Sequence, residues 1–305
     1  MILLLSTLAL GASLDLGADA CTLEGGPLVP DGERVNISVA AGGDGTLFLY
    51  HRPLPGGDGQ HRVERWNVVL KGDRCTLKRD MGFAGDGSLE RRGIFGLLAV
   101  VGDKLVVGDR ENTVYDLDGE PLYTCDGLGY RTRASAVDDT TALVTRSSDQ
   151  VERWTFTDEG CSHETLWDQP DKHQVSYHFD VADGELTGLY LLPNSGKTIV
   201  RFATDGTEQW RYGSADVEPK LKSVAAVATL AGHTVFNDAF PTTLTALDGG
   251  GEAAAELAYR DRFANLRSWQ VQHLTAVGER DALLFLTHVD DSGVHGQFHR
   301  VRLDP

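Results

Sequence analysis

Short apolar runs, each closed by a Gly/Asp turn, recur along the chain. Six of them read as strands: Thr46–Tyr50, Lys104–Gly108, Thr141–Thr145, Gly188–Leu192, His233–Asn237 and Ala282–Thr287. They are rich in Val, Leu, Phe and Thr, the residues that pack well on a pleated surface. Taking one buried position in each as a marker, the repeat spacing runs from 38 to 58 residues. Turns such as Gly42-Gly43-Asp44-Gly45, Gly102-Asp103 and Asp183-Gly184 precede the runs and supply the positive φ of tight hairpins. A further strand follows each run: Val63–Val69, Asn112–Asp116, Gln150–Phe156, Lys197–Ala203, Thr242–Leu247 and Gln297–Leu303. After several of these comes another turn and a fourth strand.

Four short strands per unit, six units and no long amphipathic helix predict an all-β chain, a six-bladed β-propeller with four antiparallel strands per blade. Glu252–Leu266 reads as an outer strand plus a loop. The last unit stops after its third strand, and Cys21-Thr22-Leu23-Glu24 resembles Cys75-Thr76-Leu77-Lys78 of the first unit. The expectation is a ring closed by that N-terminal strand. A β-sandwich or two smaller β domains would need a dividing linker, and no linker-like segment stands out.

Ile2–Ala12 is apolar, too short to span a bilayer, and is followed by Ala18-Asp19-Ala20, which has the form of a leader cleavage site. Residues 1–20 are therefore read as a signal peptide and 21–305 as one domain. The localisation that follows is export: periplasmic, outer-envelope or extracellular. Cleavage there would leave Cys21 at the new terminus, where it is a lipidation candidate. Cys21, Cys75, Cys125 and Cys161 are too widely spaced for a zinc or redox motif. In an oxidising compartment they allow three disulfide pairings.

The run Val200–Gly213, with its Asp205-Gly206 turn and Trp210, resembles a pyrroloquinoline-quinone-type propeller repeat, and Tyr115–Gly127 is a second copy. That resemblance implies the propeller fold, found both in quinoprotein dehydrogenases and in non-enzymatic periplasmic scaffolds. The quinone enzymes are usually eight-bladed and carry an adjacent Cys-Cys pair. This chain has six units and no such pair, so no cofactor is expected.

Composition narrows the partners. Lys and Arg number 28 against 45 Asp and Glu, a net charge of −17 over 305 residues. A general nucleic-acid or anionic-membrane binder needs clustered cations, so both are excluded. Against that acidic background, the predicted starts of the innermost strands collect cations and histidines: Arg92, Arg131, Arg133 and His178, then Lys222, Arg267 and His273. These are the ligand-binding candidates, a positively lined channel mouth for a carboxylate, sulfate ester or phosphate. The competing reading is that they pair with nearby Asp and Glu. His51 and His288 are weaker candidates as metal ligands, which would have to converge across blades. No G-x-S-x-G, P-loop, H-E-x-x-H or C-x-x-C occurs. The function that follows is a non-catalytic binding or scaffold protein of the cell envelope, holding a protein partner or small anionic ligand. The alternative is a hydrolase or transferase acting on an anionic or small polar substrate at the channel mouth.

Overall fold

The computed structural model describes residues 12–29, 35–43, 45–53, 60–91, 97–108, 111–128, 131–146, 150–168, 174–182, 185–192, 196–203, 207–213, 221, 224–238, 242–259, 269–290 and 293–304. β1 (Ser13–Leu16) and β2 (Thr22–Glu24) come first. The first sheet follows as β3 (Val35–Ala41), β4 (Thr46–Pro53), β5 (His61–Lys71), β6 (Arg74–Arg79) and a short β7 (Leu89–Arg91). The second holds β8 (Leu97–Val101), β9 (Lys104–Gly108), β10 (Thr113–Asp116) and β11 (Pro121–Thr124). The third holds β12 (Arg131–Ala136), β13 (Thr141–Arg146), β14 (Gln150–Thr157) and β15 (Gly160–Asp168). The fourth holds β16 (Gln174–Ala182), β17 (Glu185–Leu192), β18 (Gly196–Ala203) and β19 (Glu208–Tyr212). The fifth holds β20 (Val224–Leu230), β21 (His233–Asp238), β22 (Thr243–Leu247) and β23 (Ala253–Ala258). The last holds β24 (Trp269–Ala276), β25 (Asp281–Asp290) and β26 (Gly293–Asp304). Five sheets have four strands each, and the first has six because β2 and β7 join it.

Leaving aside β1, β2 and β7, the strands of each sheet run antiparallel in chain order from the inside outward. The inner strands β3, β8, β12, β16, β20 and β24 contact one another in succession, and β24 returns to β3. Each described core cluster lies between two neighbouring sheets. Leu47 and Leu49 of β4 pack with Phe285 of the last sheet, while Phe48 and Tyr50 pack with Leu105 and Val107 of the second. Both faces of such a strand are buried, and therefore it is written as a continuous apolar run and not as an alternation. Cations link the sheets further out. Arg65 of β5 donates to Asp80 at 2.6 Å and, in the next sheet, to the Leu117 carbonyl at 2.6 Å and Asp118 at 2.8 Å. Lys104 of β9 reaches Asp158, in the third sheet, at 3.1 Å. Arg300 of β26 donates to the Gly72 carbonyl of the first sheet.

The closure differs from the expectation in one respect. Cys21–Glu24 does not complete the last sheet. β2 runs parallel to β6, pairing Thr22 with Thr76, Leu23 with Leu77 and Glu24 with Lys78. The likeness of the two segments is that of side-by-side strands. The outer strand of the last sheet is β1, antiparallel to β26 from Ser13–Asp304 to Leu16–Val301. Leu14 and Leu16 are buried in the cluster shared by the fifth and last sheets. Cleavage after Ala20 would remove this strand from the last sheet.

Two disulfides form, Cys21–Cys75 and Cys125–Cys161. Cys21 follows β1 of the last sheet and Cys75 lies in β6 of the first, so this bond clasps the closure. Cys125 follows β11 and Cys161 lies in β15, so the other bond joins the second and third sheets. With its sulfur in a disulfide, Cys21 is not available for a thioether-linked lipid, and the lipidation reading falls with it.

Close approach of sheets is clearest at Gly102, in the β8–β9 turn. Its φ is +58°, and a β-carbon there would sit 2.2 Å from the Asp139 carbonyl oxygen in the third sheet. Gly232 has a similar φ of +76° with open space around it. Gly102→Ala should cost roughly 2–3 kcal/mol, backbone strain plus overpacking, against about 1 kcal/mol for Gly232→Ala. Urea unfolding of the two variants checks this; equal losses would show that the sheet contact carries no weight.

Candidate functional site

The inner strands leave a cavity of about 290 Å³ on the axis, lined by Ser38, Ala99, Ala134, Ser135, Ala228 and Thr275 among others. Small side chains at these positions keep it open. His273 is the one titratable residue among the described lining. Its Nε2 donates to the Ile37 carbonyl at 2.9 Å, tying β24 to β3, and its ring stacks on Phe285. The described interior of the channel thus carries no Asp, Glu, Lys or Arg, and His273 serves the junction of the last and first sheets.

The mouth, at the starts of the inner strands, has a feature that sequence reasoning missed. The ladder between first and second strands shifts register at Arg131/Arg133, Ser176/Phe179, Val224/Ala226 and Val271/His273. The inner strand carries one extra residue there in the third, fifth and last sheets and two in the fourth, while the first and second sheets pair regularly. A bulge bends the strand and re-aims the residues around it, and such irregularities gather near binding sites. Arg131, Arg133 and His178 lie at these irregularities of β12 and β16. Arg92, Lys222 and Arg267 lie outside the described residues.

The metal candidates do not converge. Among the described residues no three His, Cys, Asp or Glu side chains are grouped to hold an ion. His51 is buried between the first and last sheets, with Nε2 3.3 Å from Oε2 of Glu64. His288 stands at the far end of β25, opposite His295 of β26. Arg91, also buried, is paired with Glu111 at 3.0 Å over the Tyr115 ring.

Glu64 organises a polar network that the sequence does announce, though only in hindsight. Val63-Glu64-Arg65-Trp66 recurs as Val151-Glu152-Arg153-Trp154, each on the third strand of its sheet. Alternation places Glu and Trp of each copy on one face. The Trp66 indole N–H donates to Glu64 at 3.1 Å and that of Trp154 to Glu152 at 2.7 Å. Glu64 also accepts from Arg62 at 3.0 Å and lies 3.1 Å from Arg79. Burial pushes its pKa up, but His51, Arg62 and Arg79 outweigh that and hold it at about 2. The network is structural: His51, Glu64 and Trp66 are buried, Arg62 and Arg79 are half-buried, and none lines the described channel.

No family model and no curated protein matches this chain. Among solved structures the chain is similar to the Dos1 propeller, with a TM-score of 0.50 over 83% of this chain and 68% of that one, at 9% identity. At that identity the likeness shows the fold alone. The fold is a β-propeller.

Proposed function

We propose that this chain is an exported, non-catalytic binding propeller of the cell envelope, each of its six sheets forming one blade of the ring. It holds a protein partner or small anionic ligand at the channel mouth. The observation that carries this reading is the run of four bulges at the mouth, beside Arg131, Arg133 and His178. Three described groups that could serve catalysis are held in buried contacts instead: His51 with Glu64, Arg91 with Glu111, His273 with a backbone carbonyl. Arg92, Lys222 and Arg267 are proposed to add positive charge to the mouth.

Export is supported by the two disulfides, which form and persist in oxidising compartments. Among the described residues no helix is long and apolar enough to cross a membrane. The leader on this reading is the apolar run ending near Ala12. A pyrroloquinoline-quinone-type repeat is supported by Trp210 packing on Gly251 of the adjacent sheet, where a β-carbon would sit 2.8 Å from the ring. It is supported too by the Asp-braced turns: Asp116 accepts from the amides of Asp118 and Glu120 at 2.9 Å each, and Asp248 from Gly250 and Glu252 at 2.9 and 3.0 Å.

A photo-crosslinking residue placed at Thr132, in the β12 bulge, should capture one defined adduct in envelope preparations. The same residue at Asp103, in the opposite hairpin, should not. Arg131→Glu/Arg133→Glu should abolish the adduct. Equal capture at both positions, or none at Thr132, overturns the reading.

A further inference from the structure

Two imidazoles face each other across the last hairpin. His288 of β25 and His295 of β26 are register partners, with ring centroids 6.0 Å apart and ring planes 25° apart. His288 is half-buried and His295 exposed. Trp269, the first residue of β24, pairs with His288, so the pair stands at the end of the sheet where the inner strand begins. It does not belong to the network around Glu64.

We propose that His288 and His295 chelate a divalent transition-metal ion from the copper–zinc end of the series, Cu²⁺ or Zn²⁺. Neutral imidazole nitrogens suit those ions. The centroid spacing is close to what a chelate requires. With a metal–nitrogen bond of about 2.1 Å, each ring centroid lies roughly 3.2 Å from the ion, and a tetrahedral angle puts the centroids about 5.2 Å apart. The observed 6.0 Å is wider by less than an ångström, and the near-parallel rings, 25° apart, must turn about χ2 to bring their in-plane lone pairs onto one ion. The backbone cost is already met, because the antiparallel ladder continues on both sides of the pair, Thr287 with Gly296 and Val289 with Val294. Two protein ligands leave the remaining coordination positions open to water or to donor atoms of an incoming molecule. The site holds whether or not the channel mouth binds an anion.

Calorimetric titration of the folded chain with Zn²⁺ and with Cu²⁺ tests it, using wild type, His288→Ala, His295→Ala and, as a control, His163→Ala. His163 is exposed and stacks on Trp154, remote from the hairpin in sequence. One equivalent should bind wild type and the control equally, Cu²⁺ more tightly than Zn²⁺. Each single variant at the hairpin should lose about tenfold or more in affinity while unfolding at the wild-type midpoint without metal. Stoichiometric binding unchanged by both hairpin variants, or no binding by wild type at millimolar metal, overturns the proposal.

Discussion

A chain beginning at Cys21 should fold poorly, while one beginning at Ala12 should fold as the full protein does. The difference is β1. Leu16 is 1% exposed and Leu14 9%, and both sit in the cluster joining the fifth and last sheets. Burying a leucine side chain contributes about 1.5–3 kcal/mol, so the pair supplies roughly 3–6 kcal/mol before the ordering of four residues is subtracted. Removing β1 also uncovers the outer edge of β26, with the buried Val301 and Leu303 behind it. An unpaired edge invites pairing with another chain, so the truncated protein should show self-association as well as a lower unfolding midpoint. The Cys21–Cys75 clasp stays in both chains and does not blur the comparison. Equal midpoints for the two chains would remove β1 from the fold. The N-terminal mass of the protein purified from its native source gives a second check, and should place the first residue at or before Ser13.

The N-terminus is also where the sequence misleads, and the reason is physical. Ser13-Leu14-Asp15-Leu16 alternates polar and apolar, as a half-buried strand does. It adjoins an apolar run with the length of a leader, and the two signals merge. Cys21–Glu24 and Cys75–Lys78 invite the opposite error. Their resemblance suggests equivalent places in different sheets, whereas they lie side by side in one. The strands themselves are easily read. Thr46–Tyr50 and Lys104–Gly108 are buried on both faces and bounded by Gly/Asp turns, so composition marks them directly. Ala253–Ala258 is a strand despite its helix-favouring alanines, because β22 supplies its ladder.

The site is harder to read than the scaffold. A charged residue near the start of an inner strand is visible in the sequence, but a bulge is not: it is one residue more on one strand than on its partner, and no residue type encodes it. Position near a predicted mouth does not decide exposure either. His51 follows Tyr50 at the end of a strand and reads as a loop residue, yet it is fully buried. Its place on β4 is set by the face that Leu47 and Leu49 share. The Val-Glu-Arg-Trp repeat is the one sequence signal that would have separated structural from functional charge, since two copies in the same strand of two sheets point to packing.

That repeat gives the second large effect, at Glu64. Its carboxylate accepts from the Trp66 indole and meets Arg62, Arg79 and His51 in a buried seam. Glu64→Ala should cost about 3–5 kcal/mol, because Arg62 and Arg79 lose this counter-charge and the Trp66 indole N–H loses this acceptor. Glu64→Gln should cost less, since it keeps an acceptor for Trp66. The pH dependence separates charge from packing. The folded pKa of about 2 lies below the ordinary 4.5, so the ionised form is the one the fold favours. Its contribution is complete above pH 4.5 and is lost as the pH falls toward 2. That shift corresponds to about 3 kcal/mol across the window. Urea midpoints of wild type should therefore drop more steeply than those of Glu64→Gln between pH 5 and 2.5, the two curves drawing together in acid. Parallel curves would mean that the carboxylate charge stabilises nothing and that the seam holds by packing of Trp66, Leu77 and Phe285 alone.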